Sequence, residues 1–302
     1  MKKDTVMGAM INLKASTELI EKALEKSRVS SLNSPTNTTS VSLIPSLSAP
    51  FGEHELQEAL KKANSGMAFL DAAGLQAETL FYAEDRFFTL YENAVKEANE
   101  AQLFLLCSHF TQQKGVWNDA SRGMSTSHDL LLSQLCAALR ASANGKLSLL
   151  VPSVNTPQEI DTARQMIGYA MKKLRARSIP FDEAISLGIV LGTPASLLLS
   201  RKLIEAVDLV MIDTDLLTAL SLNSTPVSRD FDHLLHENAE AILRLVEIGI
   251  GNAHLLGRFV ILGGSMVLDP RFLPHFLAMG VNGLAVPPPK LKNVKSLLRK
   301  IK

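Results

Sequence analysis

The sequence predicts an α/β protein built from eight strand–helix units, on three observations. Beyond residue 40, short apolar runs alternate eight times with longer segments whose apolar residues recur every three or four positions. Eight such units in about 250 residues match the size of a (β/α)₈ TIM barrel. The chain of 302 residues is 46% hydrophobic, which is enough to bury a large core. A doubly wound open sheet is the alternative, because alternation alone does not establish closure.

A short arm is predicted ahead of the barrel. Ala9–Ser27 places apolar residues among Lys and Glu at helical spacing. The following Ser30–Thr39 is rich in Ser, Asn and Thr and contains Pro35, a composition typical of a linker. We therefore divide the chain into a helical arm with a flexible linker over residues 1–38 and a barrel over residues 39–302.

Each predicted strand is a short, almost wholly apolar run, as expected for parallel strands that are buried on both faces. Such runs are too short and too often bounded by Gly, Pro, Asn or Asp to be helices. In chain order the predicted strands are Val41–Leu47, Met67–Ala72, Leu103–Cys107, Leu147–Val151, Ile189–Leu191, Leu209–Ile212, Phe259–Leu262 and Val281–Val286.

Each predicted helix alternates apolar and polar residues at helical spacing. Thr156 followed by Pro157 is a typical helix start. Gly145, Gly257 and Gly280 stand where a helix gives way to a strand, and we expect left-handed caps there. In chain order the predicted helices are Glu53–Asn64, Thr89–Ala101, Ser127–Ala143, Pro157–Ala176, Ala195–Ala206, Phe231–Ala253, Phe272–Met279 and Leu291–Ile301.

Composition excludes several classes of partner. The formal net charge is +1, so no global field favours nucleic acid or an anionic membrane. The two cysteines, Cys107 and Cys136, do not make a disulfide framework and fit a reducing compartment. The uncharged run Ile185–Ser200 is interrupted by glycine and proline and is too short to span a bilayer. We expect a soluble cytoplasmic protein without a signal peptide or membrane insertion.

One string of residues has a specific resemblance. Leu139–Leu147 reads L-R-A-S-A-N-G-K-L and resembles the C-terminal half of Enzyme I, the phosphoenolpyruvate–protein phosphotransferase of the bacterial sugar phosphotransferase system. Ile179–Glu183, Glu205–Asp208 and Gly74–Phe81 are similar to other segments of that family, so the resemblance runs from about Val41 to Lys302. It implies a (β/α)₈ barrel that dimerises and binds phosphoenolpyruvate with Mg²⁺. It also implies a cysteine that handles the enol proton and a phosphohistidine on a separate domain, and the similar region does not include that domain.

The same resemblance implies that the family's chemical groups are replaced. Family strand five ends I-E-x-P with a metal-binding Glu, whereas this chain reads L-G-T-P and has Gly192 there. Family strand six ends G-T-N-D-L-T, and the position of its metal-binding Asp corresponds to Leu216. The family's proton-donor Cys corresponds to Gly263. We therefore expect no cofactor, and Mg²⁺ only if a one-residue shift lets Asp213 or Asp215 rebuild the site.

The family's substrate arginines are mostly replaced as well. A strand-two arginine corresponds to Gln76, and a strand-three arginine to Leu106 or Cys107. The candidate substrate-binding residues that remain are Gln76, Glu78, Arg122, Asp215 and Arg229.

Three functions follow as hypotheses. The first is a catalytically inactive barrel that acts by interaction, as a homodimer or with phosphotransferase-system proteins. The second is a residual phosphoenolpyruvate-dependent phosphotransferase that needs a separate phosphohistidine domain. The third is a repurposed barrel enzyme whose metal site is formed by His109, Asp213 and Asp215, since imidazole and carboxylate groups suit Mn, Fe or Zn. Cys107, at the end of a predicted strand, is a further candidate for a functional role.

Overall fold

The computed structural model describes residues 41–48, 54–72, 84–107, 128–224, 228 and 231–301. Within these ranges, eight parallel strands form a closed barrel in which each strand pairs with the next along the chain and the last pairs with the first. The predicted barrel is therefore confirmed, and the open-sheet alternative is wrong. The predicted arm, residues 1–38, lies outside the described residues, and the division of the chain at that point stays a prediction.

The strands lie close to their predicted positions. Register is continuous around the barrel, for example from Ser48 beside Asp71 to Asp213 beside Gly263. The eight strands are β1 Ser42–Ser48, β2 Met67–Asp71, β3 Gln102–Leu106, β4 Leu147–Val151, β5 Ser186–Leu191, β6 Leu209–Asp213, β7 Phe259–Gly263 and β8 Gly283–Val286.

The helices of the described part differ from prediction in three ways. The predicted helix at Thr89–Ala101 begins five residues earlier, and the helices predicted at Ala195–Ala206 and Phe231–Ala253 are each divided in two. A helix directly after β6 was missed. The helices are α1 Glu55–Ala63, α2 Glu84–Ala98, α3 His128–Ser142, α4 Pro157–Ala176, α5 Pro194–Leu198, α6 Ser200–Ile204, α7 Thr214–Leu222, α8 Phe231–Glu237, α9 Ala239–Leu255, α10 Leu273–Ala278 and α11 Leu291–Ile301, with 3₁₀ turns at Ser265–Leu268 and Pro288–Lys290.

Two of the three predicted glycine caps are confirmed. Gly257 and Gly280 have φ of 64° and 78°, the left-handed conformation that suits glycine after a helix. The prediction for Gly145 is wrong, because its φ is not positive. A β-carbon at position 145 would lie 2.5 Å from Cγ1 of Val95, so this glycine allows the chain to approach α2 closely.

The core has two layers. One lies between the barrel and the surrounding helices. The other fills the barrel, where the rings of Phe104 and Phe259 stack with their centroids 6.4 Å apart. The inner layer consists of buried side chains from all eight strands: Ile44, Phe69, Phe104, Leu150, Val190, Leu209, Met211, Ile261 and Ala285. The barrel is therefore packed, and chemistry is expected where the carboxyl ends of the strands meet. None of the described helices is both long and apolar enough to cross a membrane.

Candidate functional site

The ends of β5 and β6 bring the two family metal positions together. Gly192, which follows β5, is buried, and a β-carbon placed on it would lie 2.7 Å from Cδ2 and 3.0 Å from Cβ of Leu216. The leucine side chain thus covers the glycine. Two positions that the resemblance pairs as metal ligands are neighbours in space, and the space between them is filled by an alkyl group.

The missed helix α7 explains the role of Asp213. This residue ends β6 with extended backbone, and its Oδ1 accepts hydrogen bonds at 3.0 Å from the N–H groups of both Asp215 and Leu216. A carboxylate at this position satisfies amides that have no partner within the helix and also complements the helix dipole. The signal was present in the sequence as an aspartate directly before an apolar helical run.

Asp215 connects the ends of β6 and β7. Its Oδ1 accepts hydrogen bonds from the backbone N–H of Ser265 at 2.7 Å and from the Ser265 hydroxyl at 2.6 Å. The buried Thr214 hydroxyl donates to the carbonyl oxygen of Gly263 at 2.8 Å. Sequence reasoning missed this contribution of Thr214. Neighbouring strand ends are therefore joined by hydrogen bonds within the protein.

Gly264 makes that connection sterically feasible. Its φ of 105° lies where side chains are strained. A β-carbon on it would also lie 2.4 Å from Oγ1 of Thr214 and 2.9 Å from the backbone nitrogen of Asp215. Position 264, directly after β7, therefore requires glycine.

The family proton-donor position is filled from inside the barrel. Gly263 is buried, and a β-carbon there would lie 2.4 Å from Cε of Met211. Met211 belongs to the inner layer of the core. The methionine methyl group occupies the space into which a side chain at position 263 would project.

A second polar contact joins the ends of β4 and β5. The Thr193 hydroxyl donates to Oδ1 of Asn155 at 2.5 Å and accepts the backbone N–H of Ser196 at 3.0 Å, which caps α5. The Pro194 that follows suits the first turn of a helix. These residues cap α5 and join it to the segment after β4.

The residues present do not fit a magnesium ion at the family position. Magnesium requires oxygen ligands, and positions 192 and 216 provide none. Within the described residues, no group of three or more His, Cys, Asp or Glu is arranged to hold a metal. Asp213 and Asp215 do lie together at the start of α7, as the third hypothesis requires. His109, its remaining member, lies outside the described residues.

Cys107 is an unsuitable nucleophile. It is buried against the outer layer of the core, and burial raises the pKa of its thiol to about 12. A thiol needs to ionise to react, so this environment suppresses reactivity near neutral pH. Cys136 is likewise buried, and burial raises the pKa of its thiol.

The other four substrate-binding candidates are not among the residues that the structure describes. Gln76, Glu78, Arg122 and Arg229 lie outside the described residues and stay predictions. Leu106, one of the two positions corresponding to the strand-three arginine, packs against the inner layer of the barrel. Cys107, the other such position, is buried in the outer layer of the core.

Comparison with known families decides the relationship. The family model "PEP-utilising enzyme, PEP-binding domain" matches residues 117–302, which include every feature just described from β4 to β8. The chain belongs to this family. This membership agrees with the resemblance drawn from the string at Leu139–Leu147.

Two relatives illustrate the match. The phosphoenolpyruvate–protein phosphotransferase of Buchnera aphidicola subsp. Schizaphis graminum is 30% identical over 172 residues, which are 57% of this chain and 30% of the relative. Multiphosphoryl transfer protein 2 of Escherichia coli K12 is 28% identical over 176 residues, or 57% of this chain and 21% of that protein. The chain thus spans about a third or less of the length of these relatives.

Solved structures support the fold alone. A citrate lyase from Burkholderia xenovorans LB400 superposes with a TM-score of 0.54 at 11% identity, covering 85% of this chain and 77% of the other. An HpcH/HpaI aldolase/citrate lyase family protein from Burkholderia cenocepacia J2315 gives 0.53 at 10% identity, covering 87% and 96%.

Proposed function

We propose that this chain is a catalytically inactive member of the PEP-utilising family that works by binding another protein. The observation that carries the proposal is the packing of Leu216 on Gly192. Phosphoryl transfer from phosphoenolpyruvate depends on positioned charges and metal that neutralise the phosphate. An alkyl group between the two ligand positions offers neither.

The carboxylates nearby support the same proposal. Asp213 caps α7 and Asp215 holds Ser265, so both already serve as hydrogen-bond acceptors inside the protein. Recruiting either as a metal ligand would remove a helix cap or the link between β6 and β7. The alternative of a residual phosphotransferase also lacks the proton donor, since position 263 is a glycine beneath Met211.

Calorimetric titration of phosphoenolpyruvate with Mg²⁺ into the wild-type protein tests the proposal directly. We expect no heat of binding and no thermal stabilisation. Binding in the micromolar-to-millimolar range would overturn the proposal and restore the transferase hypothesis. Stoichiometric transition metal in protein purified from supplemented medium would instead favour a rebuilt site.

A variant that places two carboxylates at the family metal positions tests whether their replacement explains the absence of binding by wild type. In Gly192→Glu with Leu216→Asp, the leucine that blocks position 192 is removed and two carboxylates face the same space. We expect Mn²⁺, used as a paramagnetic probe, to bind this variant at least about tenfold more tightly than wild type. The matched control, Gly168→Glu with Leu255→Asp, adds the same charges on helix surfaces and should bind like wild type. Equal gains in both variants would mean that positions 192 and 216 do not form a latent site.

A further inference from the structure

The last 33 residues of the chain have an unusual charge distribution. Residues 270–302 contain seven of the 31 Lys and Arg residues and none of the 30 Asp and Glu residues. The preceding 269 residues therefore hold 24 cations and 30 carboxylates, a net charge of −6. A protein that is nearly neutral overall is thus strongly basic at one end of its sequence.

Helix α11 arranges much of this charge on one face. Lys292, Lys295 and Arg299 are three and four residues apart and so form a stripe along the helix, about 10 Å long. The opposite face carries Leu291 and Val294, both buried in the core. Leu291 and Val294 are therefore engaged by the core, whereas Lys292 and Arg299 are exposed and Lys295 is half-buried.

The charges on α11 have no partners within the described chain. No ion pair joins Lys292, Lys295, Arg299, Lys300 or the preceding Lys290 to any described carboxylate. Other helices pair comparable cations at i,i+4, as in Lys62 with Glu58, Lys96 with Glu92 and Arg201 with Glu205. Like charges at this spacing repel and destabilise a helix. The face of α11 thus carries a repulsion that no described carboxylate offsets through an ion pair.

We propose that the exposed face of α11, defined by Lys292, Lys295, Arg299 and Lys300, is a docking surface for an acidic protein surface. The inference rests on the binding role proposed above and names the surface and the chemistry of the partner. A row of carboxylates on a partner helix would match a stripe of this length and relieve the repulsion.

Two other polyanions fit less well. The stripe has no aromatic side chain on which a base could stack, and Lys outnumbers Arg, the residue better suited to bidentate phosphate contacts. The apolar face of α11 cannot insert into lipid while Leu291 and Val294 are buried.

Fluorescence anisotropy with three probes tests the proposal. The probes are a synthetic helical peptide with Glu at i, i+3, i+7 and i+10, vesicles containing phosphatidylserine, and a short DNA duplex, each in about 0.15 M salt, where charges more than about 8 Å apart are screened. We expect the peptide to bind wild-type protein more tightly than the other two. Lys292→Ser/Lys295→Ser/Arg299→Ser should weaken peptide binding by about tenfold or more.

A charge-matched control separates this surface from general attraction. Lys172→Ser/Lys173→Ser/Lys202→Ser removes three exposed cations from α4 and α6 and should leave peptide binding within about twofold of wild type. The α11 variant should melt no lower than wild type, because it removes repulsion.

Three outcomes would overturn the docking surface: equal losses in both variants, no peptide binding by wild type, or vesicle or DNA binding as tight as peptide binding. None of these outcomes bears on phosphoenolpyruvate. Conversely, phosphoenolpyruvate binding by wild type would overturn the inactive-barrel proposal whatever the peptide result, so the two failures are distinguishable.

Discussion

Two regions of the barrel are built on different principles. The corner from Leu139 to Lys146, where α3 leads into β4, carries the string that resembles Enzyme I. The guanidinium of Arg140 binds Glu84 at 2.8 Å and Asp85 at 2.7 Å, and it lies 4.0 Å from the centre of the Phe88 ring. The hydroxyl of the buried Ser142 donates to the carbonyl of Leu139 and accepts the backbone N–H of Asp182. Polar groups of this corner thus have structural partners.

The ends of β5 to β7 carry the departures from the family pattern. Leu216 covers Gly192, and Met211 covers Gly263. The polar groups that remain there, Asp213 and Asp215, are engaged in capping and cross-strand bonds. Side chains at these positions fill space or close hydrogen bonds rather than face a ligand.

The difference shows how the fold uses the residues of the two regions. Groups in the corner are required by the fold whatever the barrel does, since Arg140 and Ser142 tie separate elements together. At the strand ends, Asp213 and Asp215 accept hydrogen bonds from neighbouring groups, and the packing around Gly264 excludes a side chain. Apolar packing and internal capping at these ends avoid the cost of burying unpaired charges.

The largest expected effect on stability comes from truncating a buried side chain of the corner. Leu139 is fully buried, so Leu139→Ala should lower the free energy of unfolding by about 3 kcal/mol through lost apolar contacts and a residual cavity. Urea denaturation measures the change. Leu255→Ala is the matched control, because Leu255 is 62% exposed and its truncation should cost less than about 0.5 kcal/mol. Similar losses in both would contradict the assignment of the corner to the structural core.

The next effect tests whether the strand ends are as tightly packed as described. Gly264→Ala places a β-carbon against the Thr214 hydroxyl at a φ of 105°, and we expect a loss of about 2 kcal/mol. Gly66→Ala, where nothing lies within 4 Å of the added carbon, should cost no stability. If Gly264→Ala is also neutral, the connection between β6 and β7 is looser than its geometry indicates, and the contrast between the two regions weakens.

Much of the fold could be predicted from the sequence. β4, α4 and α11 have the predicted bounds. The start of α4 is marked by a capping box of Thr156 and Glu159 with Pro157 in the first turn. The divisions at Leu199 and Asn238 could not be predicted, since neither glycine nor proline marks them. At both, the backbone leaves helical geometry only slightly, with ψ of 5° and 10°.

The residues at the family metal positions could be identified from the sequence, but their arrangement in space could not. The resemblance placed Gly192 and Leu216 at the metal positions, yet their direct contact depends on how β5 and β6 pair and on α7 starting at Thr214. The sequence makes Asp215 a substrate-binding candidate, which stays a prediction, and it does not show that this carboxylate accepts hydrogen bonds from Ser265. The sequence shows which residue types stand at the ligand positions, but it does not show which atoms fill the space between those positions.

The smallest effect compares an ion pair at the strand ends with the one in the corner. After β7, Asp269 binds Arg271 at 2.5 Å, but the arginine side chain is 51% exposed, against 15% for Arg140. The hydrogen bond from Arg271 lowers the pKa of the Asp269 carboxyl. A lowered pKa contributes stability that is complete above the unfolded value, near 4, and is lost as the pH falls through the folded value.

Asp269→Asn should therefore cost less than about 1 kcal/mol at pH 7, and the difference from wild type should shrink below pH 4. Asp161→Asn, at an exposed position on α4, provides the control in the same urea titrations. A loss above about 2 kcal/mol would mean that the strand ends depend on charge pairing as strongly as the corner does.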